Sequence, residues 1–198
     1  MSQSVLYMAM SLDGFITGPH DDADHGLGVN GERLHDWLHD TSSDEGPVDF
    51  RPTGANGQVF DEVMATGAVV VGRRTFDLAG RWNGDHHGVP IYVPTRGTPP
   101  EPVSDWVHYV TDGVESAMAQ AKAAAGDADV MVHGADLTQS LLRAGVLDEL
   151  EIHLIPVLLG EGRRLFEHLG HEHIELERVR VVAGEGGVTH LRYRVVAA

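Results

Sequence analysis

Two short runs place anion-binding residue types at the ends of apolar segments. Val69-Val70-Val71 leads into Gly72-Arg73-Arg74-Thr75, and Val130-Met131-Val132 leads into His133-Gly134-Ala135-Asp136. Three consecutive valines suit a strand covered on both faces, as in a parallel or mixed sheet. A glycine just beyond it lets the backbone turn and lets a ligand approach its amides. Arginines there neutralise phosphate through forked hydrogen bonds, and a following helix N-terminus adds free N–H groups and a favourable dipole. Neither run matches the Walker pattern or the GxGxxG fingerprint, which disfavours those two nucleotide-binding families. Taken singly, each junction also reads as an ordinary turn with solvated arginines. A third candidate, Ser11-Leu12-Asp13-Gly14-Phe15-Ile16, ends the first apolar run and opens a long polar segment. Asp13 reads there either as a proton donor or orienting group, or as a turn residue paired with Gly14.

The elements that must position these residues follow from periodicity. Residues 5–11, 68–71, 90–95, 106–111 and 129–132 read as strands. Residues 32–40, 116–125 and 135–144 read as helices, and Val59, Phe60, Val63 and Met64 mark another. Residues 12–30 show no periodicity and read as a loop of a length that is usually a functional lid or disordered. Residues 41–56 form a second irregular connection. Residues 150–159 make a long apolar strand region interrupted by Pro156, and 174–182 and 188–196 alternate around the hairpin residues Glu185-Gly186-Gly187. Strand–helix units followed by an antiparallel hairpin predict one mixed-sheet α/β domain over residues 1–198.

Composition narrows the function classes. Lys and Arg number 14 against 30 Asp and Glu, a formal charge of −16 that opposes nucleic-acid binding and anionic membrane surfaces. Lys122 is the only lysine, so any arginine cluster is notable. Zero cysteines exclude disulfides, thiolate catalysis and Cys-zinc sites. The apolar run 5–12 ends at Asp13 without a basic front, so neither a signal peptide nor a span is expected, and a cytoplasmic protein is the default. Among 13 histidines, His168, His171 and His173 cluster with Glu167 and Glu172, and His86-His87 sits in a loop. No ligand pattern such as HExxH appears, so no metal is expected in catalysis. Asp21, Asp22 and Asp24 read as solvating the long loop, which flanks the presumed site and is placed to close over substrate.

Together the motifs resemble the dihydrofolate reductase-like superfamily, in the branch of the riboflavin-biosynthesis (RibD C-terminal) reductase domain and its stand-alone relatives. The resemblance rests on Gly72-Arg73-Arg74-Thr75, Leu147-Asp148-Glu149-Leu150 and Pro156-Val157-Leu158-Leu159-Gly160-Glu161-Gly162 with Leu165-Phe166. It runs from Ser11 to Tyr193. It implies a three-layer fold, a mixed, mostly parallel central sheet flanked by helices, with a C-terminal antiparallel hairpin. It also implies NADPH as cofactor and a homodimer. By carry-over, Gly72, Arg73 and Thr75 hold the adenosine phosphates and pyrophosphate, with Arg73 preferring the 2′-phosphate. Thr95 and Arg96 lie beside the adenosine, and Ala9 and Ile16 border the nicotinamide. His133, Gly134, Ala135 and Asp136 fall on the family's glycine-pair turn under the pyrophosphate and nicotinamide. His133 replaces a glycine there, which is expected to weaken or alter cofactor approach.

The folate enzymes carry a pterin-holding carboxylate on the first helix. Here that region is Leu34-His35-Asp36-Trp37-Leu38, and neither Asp36 nor Glu32 matches the position, so dihydrofolate reduction is not expected. The resemblance instead implies an NADPH-dependent reductase of a small nitrogen heterocycle. Asp13 leads as proton donor or orienting residue, with Asp36 behind it. Trp37 and Phe60 are candidates for the substrate side, although helix-spaced apolar residues are commonly core. Two alternatives stand beside this reading. One is a ligand-binding protein that kept the fold and lost turnover. The other is 5-amino-6-(5-phosphoribosylamino)uracil reduction, whose phosphate substrate wants a basic pocket that so acidic a chain offers sparsely.

Overall fold

The valine run that opens the first anion-binding motif forms β3 (Ala68–Val71), wholly buried as a strand covered on both faces must be. In the computed structural model, which describes residues 2–39, 52–171 and 173–196, this strand lies inside an eight-stranded sheet. β1 (Ser4–Ser11) runs parallel to both β6 (Val130–His133) and β7 (Glu149–Ile155). β3 joins the far side of β6, followed by β4 (Ile91–Pro94) and β5 (Val107–Val110), all parallel. On the other flank β10 (Thr189–Val195) pairs antiparallel with β7, and β9 (Leu176–Ala183) pairs antiparallel with β10. The order across the sheet is β5-β4-β3-β6-β1-β7-β10-β9, as a mostly parallel sheet with a C-terminal hairpin requires.

Among the described residues four α-helices cover it: α1 (Gly54–Met64), α2 (Arg73–Leu78), α3 (Val114–Ala125) and α4 (Ala135–Ala144). Ala117, Met118 and Ala121 of α3 and Leu137 and Leu141 of α4 pack on Leu6, Val70, Val132 and Leu150. On the opposite face Val63 of α1 and Phe76 of α2 meet Val5, Val69, Val71 and Met131. A third apolar group, Ala9, Leu34, Trp37, Ile155 and Val188, lies with the 3-10 turn Gly31–Leu38. No helix among the described residues is long and apolar enough to cross a membrane.

The structure departs from the sequence expectation in three places. The segment expected as an unbroken loop contains β2 (Phe15–Thr17), paired antiparallel with β8 (Arg163–Arg164). Its hydrogen bonds come from residues far along the chain, so no local pattern announces it. The first helix candidate is a 3-10 turn in which Leu34 and Trp37, three apart, are both buried. Of the expected irregular connection, residues 54–56 already belong to α1, and residues 41–51 lie outside the described residues.

Candidate active site

The carboxyl ends of β3, β4 and β6, together with Val110 at the end of β5 and Thr111, Gly113 and Val114 beyond it, open on one cleft of about 1560 Å³. This is where open α/β sheets place ligands. The two anion-binding motifs are joined directly in its wall. Gly72 N donates to the His133 carbonyl at 3.0 Å. Gly134 has φ +104°, and a Cβ built on it would stand 2.6 Å from Thr75 Oγ1. Gly72 is different. Its φ of −62° is open to any residue, and its Cβ would meet Leu137 Cβ at 3.4 Å. The turn itself therefore does not need glycine at 72; the close packing against α4 is what favours it. No side chain caps α2, α3 or α4 at Gly72, Gly113 or Gly134, so first-turn N–H groups are left for solvent or ligand.

Arg73, Arg74, Arg96, Arg143 and Arg163 all line the cleft, in a chain of formal charge −16. Asp21, Asp24, Glu32, Asp36, Asp77 and Asp136 line it as well, so arginines and carboxylates share the cleft and it is not a dedicated basic pocket. Arg73 Nε donates to Asp77 at 2.6 Å, and its guanidinium stands 5.5 Å from the centre of the Tyr109 ring. Arg74 forks onto Asp21, with NH2 at 2.9 Å and Nε at 3.1 Å, and Arg163 reaches the same carboxylate at 3.4 Å. Burial alone raises the Asp21 pKa, yet hydrogen bonding from Arg74 and the charges of Arg163 and Arg74 bring it below the ordinary value. Asp21 therefore anchors the loop across the cleft wall instead of merely solvating it.

Histidines lie among these arginines. Burial, then the neighbouring His86 and His35, push His133 down to about 3. Burial, then His39, lowers His35. Both line the cleft, and the Nδ1 of each is buried without a hydrogen-bond partner. Trp82, its ring 6.1 Å from His133, lines the same wall. His35, Trp82 and Asp21 are the candidates that sequence reasoning missed. The three-residue 3-10 pitch, which puts Glu32 and His35 together on the cleft, is the signal that finds the first.

The structure sorts the expected site residues. Ile16, Thr75, Thr95, Ala135 and Asp136 line the cleft with Gly72, Arg73, Arg96, His133 and Gly134. Asp36 also lines it, exposed and paired with Arg33 at 3.3 Å. Ala9 does not; it lies in the core group with Trp37, while Met8 takes the wall position. Trp37 is buried with its ring 4.4 Å from His153 and 5.1 Å from His190, so it is core and not substrate wall. Phe60 on α1 is half-buried away from the cleft walls. Of the histidine cluster at 168–173, His168 and His173 are exposed beside Glu167 and Glu175, and Glu172 lies outside the described residues.

Asp13 is also corrected. Its Oδ1 accepts from Ser11 Oγ at 2.6 Å and Leu159 N at 3.1 Å, and its Oδ2 accepts from Gly160 N at 2.8 Å. The Ser11 hydroxyl first, then these backbone donors, hold its pKa down at about 2. An ionised carboxylate with its oxygens already accepting has no proton to give at neutral pH. Asp13 ties the end of β1 to the 159–160 turn. Asp13→Asn is expected to lower Tm without removing an ionisation from the pH profile of turnover. A profile that loses one would restore the donor role.

Residues 4–189 match the family described as the RibD C-terminal domain. The uncharacterized protein YwjB of Bacillus subtilis (strain 168) is 27% identical over 172 residues, 86% of each chain. A putative riboflavin biosynthesis protein from Shewanella sp. PV-4 shares the fold, with a TM-score of 0.73 over 100% of both chains at 22% identity. So does a diaminohydroxyphosphoribosylaminopyrimidine deaminase/5-amino-6-(5-phosphoribosylamino)uracil reductase from Thermotoga maritima, at TM-score 0.64 and 15% identity, over 98% of this chain and 57% of that one. With the glycine–arginine strand ends gathered on one cleft and the family match spanning nearly the whole sequence, the chain belongs to the RibD C-terminal domain family and has its dihydrofolate reductase-like fold.

Proposed function

We propose that the protein is an oxidoreductase that uses NADPH to reduce a small nitrogen heterocycle of the pterin, flavin or aminopyrimidine kind. The observation that carries this reading is the joint between Gly72–Thr75 and Gly134–Asp136. It sets uncapped helix N-termini and arginines on one wall of one cleft. The residues fit the cofactor: the absence of a Cβ at 134 lets Thr75 and the Gly72 amide pack against the second turn, and Arg73 and Arg96 stand where a polyanion needs charge. When bound, NADPH supplies the hydride; the protein supplies placement and electrostatics. The free N–H groups beyond Gly72 and Gly134 bind anionic oxygens. Met8 and Ile16 present apolar surface that keeps water from the reacting side. Asp21, held by Arg74 and Arg163, pins the long loop at the cleft. Neutral His35 and His133 offer ring nitrogens to the polar edge of a planar substrate. Asp36, on the cleft wall, is the remaining carboxylate candidate for proton supply.

Two other readings each have one observation in their favour. A binding protein without turnover is favoured by Asp13, whose oxygens are taken up by Ser11, Leu159 and Gly160 away from the cleft lining. Reduction of a phosphoribosyl aminouracil is favoured by Arg143 and Arg163 on the same cleft, which would have to exchange their present contacts with His168, Ser140, Asp21 and Asp136 for a substrate phosphate. Fluorescence titration with NADPH and NADH, followed by turnover assays against pterins, flavins and aminopyrimidines, separates them. Arg73→Ala is expected to weaken NADPH binding by roughly 10–100-fold, the worth of a charged hydrogen bond, and to leave NADH nearly unchanged. A parent protein that binds neither NADPH nor NADH would overturn the reading. Binding with no turnover across the panel selects the binding protein.

A further inference from the structure

Behind the cleft, the hairpin half of the sheet buries a second group of polar side chains. Glu151 and His153 are alternate residues of β7 and so share one face. His190 on β10 sits directly opposite His153. Glu151 and His190 are 0% exposed and His153 is 3% exposed. The two Nδ1 atoms are 2.9 Å apart, and one ligand atom from each of the three residues lies within 4.8 Å of the others.

Hydrogen bonding leaves these atoms ready to coordinate. Asn56 Nδ2 donates to the carbonyls of Trp37 at 3.2 Å and Glu185 at 3.3 Å, which orients the amide. Its Oδ1 then faces His190 Nε2 at 3.0 Å and accepts from it. His190 therefore carries its hydrogen on Nε2, and its Nδ1 lone pair points into the cluster. That is how metal-bound histidines are commonly held, with the outer N–H given to a carbonyl oxygen. Glu151 Oε2 accepts from Arg180 at 3.1 Å, but Oε1 is buried with no hydrogen-bond partner. A buried carboxylate oxygen without a partner calls for an explanation, and an ion is one of the few available.

Charge points the same way. Arg180 and Arg192 are contacted by Glu62, Asp129, Glu149 and Glu151, an excess of two negative charges when all are ionised. Arg194 and Glu177, the next pair outward, add one of each sign. A divalent cation balances the group.

We propose that Glu151, His153 and His190 form a buried divalent-metal site of Zn²⁺ type, separate from the cleft. Two imidazoles and one carboxylate are a familiar zinc set. Two nitrogens on one tetrahedral Zn²⁺, each bound at about 2.0–2.1 Å, stand about 3.3 Å apart, so the Nδ1 pair opens by a few tenths of an ångström. The ion takes the place of the hydrogen shared by the two Nδ1 atoms. His153 then carries that hydrogen on Nε2, and no proton is lost. The site fastens β7 to β10 and, through Asn56 and Trp37, fastens the 3-10 turn whose Glu32, His35 and Asp36 face the cleft. The sequence drew attention to the exposed histidines at 168–173 instead.

Tag-free protein, stripped with chelator, equilibrated with Zn²⁺ and gel-filtered, is expected to hold one zinc per chain by elemental analysis. His190→Gln and Glu151→Gln should each bind at least tenfold more weakly, and the triple change His168→Ala, His171→Ala, His173→Ala should bind as the parent does. Zn²⁺ at a hundredfold excess over its Kd should raise the parent's Tm by about 5–10 °C and leave His190→Gln unmoved. A parent holding less than a tenth of an equivalent overturns the site. So does zinc that persists in both single variants or leaves with the exposed histidines. Should a variant fail to fold, Co²⁺ added to the parent decides: strong visible bands of a tetrahedral ion support the site, and the faint spectrum of a six-coordinate ion overturns it.

Discussion

Replacing Gly134 with alanine is expected to lower Tm by roughly 5–15 °C and to weaken NADPH binding at least tenfold. Backbone and packing act together here. At φ +104° a side chain is strained by about 1–3 kcal/mol. The new Cβ would also stand 2.6 Å from Thr75 Oγ1 and 3.3 Å from Thr75 Cβ, a contact that forces the α2 start away from α4. Overpacking of that kind costs about another 1–3 kcal/mol, a large part of the roughly 5–15 kcal/mol that holds a domain folded. Each kcal/mol is about 2–4 °C at this chain length. Displacing Thr75 also moves Arg73 and the Gly72 amide, so binding falls with stability. Gly72→Ala is the control, since its backbone is ordinary and its Cβ only touches Leu137. It should keep its Tm within a few degrees. Calorimetry and nucleotide titration on both variants check the pair, and a Gly134→Ala protein that melts and binds like the parent shows that this joint is not the cradle.

Mild acid is expected to destabilise the protein strongly, with the loss beginning near pH 6.5. Burial, followed by the charge of His87, pushes His86 down to about 4 from an ordinary 6.5, and His133 is pushed to about 3. In the unfolded chain both take protons near pH 6.5; in the folded chain they do not until pH 3–4. The unfolded state thus binds more protons throughout that window. Stability is full above pH 6.5 and falls as pH drops towards 4. Each such group costs about 1.4 kcal/mol per pH unit, so the two together give a slope of roughly 3 kcal/mol per unit. Burial lowers His35 in the same direction. Two pH units then remove about 6 kcal/mol, a large share of the roughly 5–15 kcal/mol that holds a domain folded. Circular dichroism melts from pH 7.5 to 4 measure the slope, which His86→Asn should make shallower. A Tm that stays flat between pH 7 and 5 contradicts neutral burial of these rings.

Much of the fold was legible because its signals are local. The residues read as helix at 135–144 are those of α4, and β3 has the bounds its valines announce. The hairpin was legible for the same reason, since alternation of period two flanks Glu185-Gly186-Gly187. β2 was not, because a three-residue strand is defined by its partner at residues 163–164. The site divides similarly. Glycines and arginines at strand ends mark the cradle, but Asp13 and Asp21 are indistinguishable as letters. One is saturated by backbone donors and the other is forked by Arg74, 53 positions away. His153 and His190 are 37 positions apart and meet only through the β7–β10 register.

By itself the sequence determined the succession of strands and helices, the hairpin, the glycine–arginine strand ends and the family. These rest on hydrogen bonds and side-chain periods that repeat within a few residues. Only the tertiary structure decided that five arginines share one cleft against a charge of −16, that Trp37 is core, and that Asp13 is a staple. Desolvation, ion pairing and cross-strand register depend on groups distant along the chain, and those groups become neighbours only when the sheet closes its order.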